Sequence, residues 1–392
     1  MNNPHHPSEP KADKAGVRRH NLSLVLRTVH EAGETTRAAV AARVGLTRAA
    51  VSSLVEQLLE LGLLVESGKT FSGQAGRPGT VLKPAATGPA GLGVEINVDY
   101  VSVCVADLAG SDRVRRTEPL DNRTPGAPEV LRRAARITAE VLTEAARLDL
   151  RPTGVRLALP GLVSGGTVRQ APNLGWNHVE ADALFAAALA RDLPVASDNE
   201  ANVAALAELW FGSLGELRTF LYVTGEIGVG GAIVLDGELL RGAHGFAGEI
   251  GHLPVTPDGP PCRCGSRGCL EQYAGQSALL RAAGTRSLDT LARRAKAAEP
   301  RTLTALAEAG RMLGVALSGA VNLLDTEAVV VGGIYPRLMP WLAPAAEAEL
   351  DRRVLSGLTP RLRPASTTAT TARGAAALVL REILADPLAY GG

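Results

Sequence analysis

Ten positions separate His252 from Cys262, and Cys264 and Cys269 follow closely in the run HLPVTPDGPPCRCGSRGCLE. One imidazole and three thiolates make the closed tetrahedral set of a structural zinc ion. These ligands sit on a Gly- and Pro-rich loop, which can fold round a metal without breaking a helix or a strand. Gly265 and Gly268 are expected to supply its tight turns. Three of the chain's four cysteines are here, an odd number on a short loop that pairs poorly as disulfides. Cys104 stands alone in an alternating apolar run and is expected in a core.

The elements that must carry such a loop are bounded by composition. A chain of 392 residues with 46% hydrophobic content can bury substantial cores, and its length predicts two or three domains. No apolar run reaches membrane length, which excludes a spanning helix from the reading. The start, MNNPHHPSEPKADK, is polar and Pro-containing rather than a charged-then-apolar signal. It predicts a cytoplasmic protein with a disordered tail over residues 1–16 and no membrane partner. Net charge is only +1, but residues 1–90 carry eleven Lys/Arg against seven Asp/Glu, and the remainder thirty against thirty-three. The basic end is the candidate for a polyanion partner.

Within that end, Leu22, Val25, Leu26 and Val29 follow one face of a helix that Gly33 closes. Thr36 can cap a second short helix, and Gly45 suits a left-handed turn after it. Thr47 can cap a third, whose Val51, Leu54, Val55 and Leu58 point inward. Its outward face near the start is Arg48, Ala49, Ser52 and Ser53. This is a helix-turn-helix pattern, in which the second member reads base edges in the major groove. Small side chains at Ala49, Ser52 and Ser53 permit close approach, while Thr47 and Arg48 at the helix start can meet phosphate or guanine. The run LGLLVESGKTFSGQAGRPGTVLKP then reads as two strands flanking a loop, giving a winged helix-turn-helix over residues 17–84. Arg77, held extended by Pro78, suits a narrow minor groove. Lys69 and Lys83 are candidates for phosphate contacts.

From residue 85 on, strand-turn patterns alternate with Ala-rich helices, which means α/β. GLGVEINVDYVSVCVADL reads as a hairpin, residues 127–148 as a helix, VRLALPG as a strand with a turn, and residues 200–210 as a helix. Loop motifs follow in order: ALPGLVSGGTV with APNLGW, then SDNEAN, TGEIGVGGAIV, GEIGH and VVVGGIYPRL. Together with the cysteine loop over 252–269, they resemble the ROK family of bacterial sugar kinases and sugar-responsive repressors. With the winged helix in front, the chain is similar to the repressor branch.

That resemblance implies an α/β fold in which the winged helix-turn-helix precedes a two-lobed, actin-like ATPase domain over residues 85–392, with a sugar in its cleft. The ligand-contacting residues it implies are Asn199, Glu200, Glu249, His252 and Glu271, with Gly161 allowing close approach. Carboxylates and an amide suit vicinal hydroxyls, and a polar site left unpaired by the wrong sugar discriminates strongly. His252 would serve twice, one ring nitrogen on zinc and the other toward the sugar. Trp176 can stack on a sugar or fill core.

Kinases of the family carry an Asp-x-Gly-Gly-Thr phosphate loop, where this chain has Glu95-Ile96-Asn97-Val98-Asp99. Side chains at Asn97 and Val98 are expected to intrude there, and Asp99 to bring negative charge. Glu200 replaces the catalytic Asp of the Asn-Asp-Ala-Asn motif, and Glu226 stands in the second phosphate loop. A displacement of about 1 Å at such a base costs ~100-fold in rate. The resemblance therefore implies no catalytic residue and no enzyme. It implies a sugar- or phosphosugar-responsive transcriptional regulator of the repressor type, binding operator DNA as a homodimer or higher homo-oligomer. The competing reading is an ATP-dependent hexose or N-acylhexosamine kinase with an appended DNA-binding domain.

Overall fold

The computed structural model describes residues 14–70, 79–366 and 370–390. Helix α1 (Lys14–Ala32) begins before the periodic run at Asn21. Lys14–Gly16 therefore belong to a helix rather than to the tail expected over 1–16, and residues 1–13 lie outside the described residues. Strand β1 (Thr35–Thr36) leads into α2 (Arg37–Val44), where Thr36 Oγ1 accepts from Ala39 N at 3.3 Å. Gly45 ends α2 at φ +72°, a conformation costly for any residue with a Cβ. Thr47 then caps α3 (Arg48–Glu60), its hydroxyl accepting from Ala50 N at 3.2 Å. Leu22, Leu26, Val51, Val55 and Leu58 are fully buried between the three helices, each contributing about 2 kcal/mol. Strands β2 (Leu64–Thr70) and β3 (Gly79–Pro84) join β1 in a sheet of order β1-β3-β2. This is the wing; Arg77 and the side chain of Lys69 lie outside the described residues.

The rest of the chain writes one topology twice. Strands β4 (Gly88–Ile96), β5 (Tyr100–Ala106) and β6 (Asp112–Pro119) form an antiparallel meander. After α4 (Ala127–Arg147), β7 (Leu150–Leu159) returns parallel to β4. A small sheet of β8 (Leu162–Ser164), β9 (Thr167–Ala171) and β10 (Trp176–Glu180) then leads to α5 (Ala181–Leu189), β11 (Val195–Asn199) and α6 (Glu200–Phe211). β11 lies parallel to β7, so the first sheet runs β11-β7-β4-β5-β6.

In the second lobe β12 (Phe220–Gly225), β13 (Val229–Leu235) and β14 (Glu238–Leu239) repeat the meander. A long insertion follows, with α7 (Glu271–Ala274), α8 (Gln276–Ala282), α9 (Leu288–Lys296) and α10 (Pro300–Leu324). β15 (Ala328–Gly333), α11 (Tyr335–Arg353) and β16 (Leu362–Pro364) complete a sheet of order β14-β13-β12-β15-β16. Numbered from its own first strand, each sheet has the order 3-2-1-4-5, with the fourth and fifth strands parallel to the first. Two such lobes facing each other make the actin-like ATPase fold, and strand ends from both converge on the cleft between them. Among the described residues no single helix is long and apolar enough to cross a membrane.

Helix α12 (Thr371–Ala385) crosses back to the first lobe and packs between β4 and α6. It can lie so close because Gly91 and Gly93 of β4 have no Cβ; one built there would overlap the α12 backbone at Ala372 and Ala376. The far end of α12 buries Leu380, Ile383 and Leu384 in the same core as Leu22 and Leu26 of α1. Ser23 Oγ donates to Leu384 O at 2.7 Å, and His30 Nδ1 lies 2.6 Å from Leu108 O. The winged helix is thus joined to the first lobe through a continuous core along α1 and α12, in addition to the chain connection through residues 80–92.

Candidate functional site

The loop after β14 closes on itself through isolated bridges, Pro254 to Cys269 and Pro261 to Arg267. Gly265 and Gly268 both adopt positive φ, and a Cβ at Gly268 would strike Thr256 O. The ligand atoms of His252, Cys262, Cys264 and Cys269 all lie within 4.8 Å of one another. Cys262 Sγ is 3.8 Å from His252 Nδ1, and Cys264 Sγ is 3.7 Å from Cys269 Sγ. A tetrahedron with metal–sulfur bonds of about 2.3 Å has edges of about 3.8 Å, so the donor set fits a metal ion of that geometry. All four cysteines are free, and Cys104 is buried in core as expected.

The other face of this loop lines the cleft. Asn199, Glu200, Glu249, His252, Glu271 and Gly161 border one cavity, together with Asn97, Asn173 and Glu226. Glu271 opens α7, and Cys262 Sγ donates to its Oε1 at 2.9 Å, so a cleft residue touches a candidate metal ligand directly. His252 turns Nδ1 to the thiols and Nε2 toward Glu249 Oε2, 4.0 Å away. Burial raises the Glu249 carboxyl above its ordinary range; His252 opposes this and Glu271 adds to it.

Two expected contacts have other duties as well. Asn199 caps α6: its Oδ1 accepts from Ala201 N and Asn202 N, and its Nδ2 donates to Gly161 O at 2.8 Å. Only one amide hydrogen is left for a ligand. Gly161, at φ +92°, is required by the backbone of Gln170 and Ala171, which a Cβ would strike. Trp176 is buried in the first-lobe core, which settles its expected alternatives in favour of packing.

Glu200 and Glu226 also border a second, larger cavity of about 450 Å³ with Glu95, Tyr100, Thr224, Gly332 and Gly333. Burial, then the charges of Glu226, Glu95 and Glu249, push the Glu200 carboxyl well above its ordinary range. Glu226 is pushed up to about 7 by burial, Glu95 and Asp99. Glu95, itself raised by burial, accepts from the Tyr100 hydroxyl at 2.6 Å and from Ala372 N and the Thr371 hydroxyl at the start of α12. Asn97 Oδ1 accepts from Val98 N at 2.6 Å, so this stretch offers folded side chains rather than bare backbone.

Val98 and Asp99 each divide between the cleft and other surroundings. Val98 is 3% exposed and packs in the first-lobe core although it borders the cleft. Asp99 turns outward and pairs with Arg123 at 2.7 Å, while its negative charge still reaches the cleft and raises Glu226. Residues that pattern did not single out also shape the site. Arg241 of the second lobe binds Asp198 at the end of β11 at 2.7 Å, and Arg263 of the cysteine loop reaches Asn173 Oδ1 at 3.5 Å. Asn173 lay visible inside APNLGW; Arg241 carried no local signal.

On the winged helix, Arg48, Ala49 and Ser53 are exposed and Ser52 half-buried. Thr47 is exposed but its hydroxyl serves the cap. Arg48 and Ser52 share a small concavity with Thr36, Arg37, Gly79 and Thr80, and Arg37 is held by Glu56 and Glu66. Lys83, a phosphate candidate, pairs with Glu34 at 2.5 Å.

Comparison with known proteins agrees with this architecture. The family model described as ROK family matches residues 91–382. A xylose repressor from Caldicellulosiruptor bescii is 30% identical over 334 residues, covering 80% of this chain and 82% of that protein. A glucokinase from Streptomyces coelicolor is 32% identical over 266 residues, covering 62% of this chain and 81% of the kinase. Among solved structures, a ROK family transcriptional regulator homologous to the E. coli Mlc protein superposes with a TM-score of 0.80 at 24% identity, covering 94% of this chain and 97% of that one.

Proposed function

The chain belongs to the ROK family, and from that premise we propose that it is a sugar-responsive, DNA-binding transcriptional repressor whose kinase-like cleft senses its ligand without turning it over. The observation that carries this reading is α12. Its start is bonded to Glu95 on the wall of the second cavity, which shares Asn97, Glu200 and Glu226 with the sugar cleft, and its end lies in the core of the helix-turn-helix. A ligand that changes the closure of the lobes therefore acts on a helix rooted in the DNA-binding unit.

In this reading the sugar hydroxyls meet Glu249, His252, Glu271 and Glu200, with the remaining Asn199 amide hydrogen. Zinc held by His252, Cys262, Cys264 and Cys269 would brace the loop and fix the imidazole's orientation. Thr47, Arg48, Ala49, Ser52, Ser53 and Arg77 would face operator DNA in the cytoplasm, and a homodimer or higher homo-oligomer would present paired recognition helices. Differential affinity of the sugar for two lobe arrangements, coupled by about 1–3 kcal/mol, is sufficient for control.

The second cavity supports the non-enzymatic reading. Glu95, Glu200 and Glu226 line it, and burial first, then neighbouring carboxylates, holds Glu200 and Glu226 above their ordinary range. Three carboxyls thus crowd a place where a triphosphate would need donors, and the two arginines that border the same cavity, Arg115 and Arg337, are paired with Asp112 and Asp289. The kinase reading draws on the glucokinase similarity and predicts the opposite result in one assay. Purified protein given ATP, magnesium and a panel of glucose, xylose and N-acetylglucosamine should bind a sugar by calorimetry and release no ADP above background. ADP release that requires a sugar and is lost in Glu200→Gln would replace the sensor with a kinase.

A further inference from the structure

The winged helix and both lobes meet around a cavity of about 700 Å³, inside the ~300–1,000 Å³ span of small-molecule sites. It shares no lining residue with the sugar cleft and lies at the opposite end of α6 from Glu200. Arg27 enters from α1, Arg381 from α12, and Arg218 from the segment before β12. Among the described residues none of these three guanidiniums has a carboxylate partner. Arg218 reaches only Asp236 O at 3.5 Å, and Arg381 lies over the Trp210 ring at 4.8 Å. Of the two carboxylates at the rim, Glu31 is engaged by Arg43 at 2.5 Å, which leaves Glu238.

Unpaired guanidiniums around a concave space are the chemistry that recognises a phosphate dianion, because each presents a planar fork of donors to two oxygens. Leu209 and Trp210, both half-buried, add apolar surface to the same cavity, which suits an organic body attached to that phosphate. We propose that this three-way junction is a binding site for a small organic phosphate, separate from the sugar cleft. An occupant would touch the DNA-binding unit and both lobes at once. It would therefore bind best to one relative arrangement of the three, and favour that arrangement.

Calorimetric titration of the full chain with inorganic phosphate, glucose 6-phosphate and AMP, at matched ionic strength in chloride, tests the site. Saturable binding is expected for at least one of the three, weakened about tenfold or more in Arg27→Gln/Arg381→Gln and retained in Glu249→Gln. Tighter binding of an organic phosphate than of inorganic phosphate would show that the apolar surface contributes; equal affinity for all three would overturn the organic part of the proposal and leave a site for the phosphate group alone. Glu238→Gln, which removes the uncommitted rim carboxylate, should tighten binding roughly two- to threefold, a gain that misfolding cannot mimic. No saturable binding of any probe would overturn the proposal. So would unchanged affinity in the double arginine variant, or a loss in Glu249→Gln that places the anion in the sugar cleft.

Discussion

Glu226 concentrates the electrostatics of the cleft in one side chain. A carboxyl raised from its ordinary 4.5 to about 7 keeps its proton in the folded chain over a range where the unfolded chain has lost it. The native state thus binds more protons there, and stability falls as pH rises from about 4.5 through 7, by an amount on the order of 3 kcal/mol at the top of the range. Glu226→Gln should raise the melting temperature near pH 8 and leave it nearly unchanged near pH 4; equal melting curves near pH 8 would remove Glu226 as a source of strain. The metal loop gives a second residue-scale prediction. Metal analysis of the purified chain should find stoichiometric zinc, and Cys264→Ser should lose it together with several degrees of melting temperature. His252 and the cysteines were legible in the sequence because their spacing is local. The option of Asn199 as a helix cap was legible for the same reason, since Ala201 and Asn202 follow it directly; its bond to Gly161 and the outward turn of Asp99 toward Arg123 were not, because those partners lie far along the chain.

The helices of the winged unit show how much an element can announce itself. Thr36, Gly45 and Thr47 punctuate α2 and α3 as their side-chain chemistry requires, and the 3.6-residue period places Val51, Val55 and Leu58 inside. Thr47→Ala should cost about 1 kcal/mol in chemical denaturation, the usual worth of such a cap. Helix α12 announced nothing of its role. TARGAAALVLREILA reads only as a helix of small and apolar residues, and its seat on Gly91 and Gly93 depends on a strand nearly three hundred positions earlier. Gly93→Val would drive a branched side chain into the α12 backbone and should destabilise the chain by roughly 2–4 kcal/mol. If the variant folds with unchanged stability, α12 is not packed as tightly as the coupling argument needs.

At the scale of the whole molecule, two lobes of one topology enclose the cleft, and a DNA-binding unit shares its core with the first of them. Alternating strands and helices made the α/β class legible, and the two-lobed architecture was legible only through the family that the ordered loop motifs resemble. The route from cleft to DNA was not, because residues 80–92 connect the units in sequence while α1 and α12 connect them in space. The account stands most directly on operator affinity measured by fluorescence anisotropy, using a duplex selected from a random pool by the protein itself, while xylose, glucose or N-acetylglucosamine is titrated. At least one of these sugars should weaken DNA binding by roughly 5- to 150-fold, and Glu249→Ala should abolish that response. A sugar that binds by calorimetry yet leaves operator affinity unchanged would contradict the account.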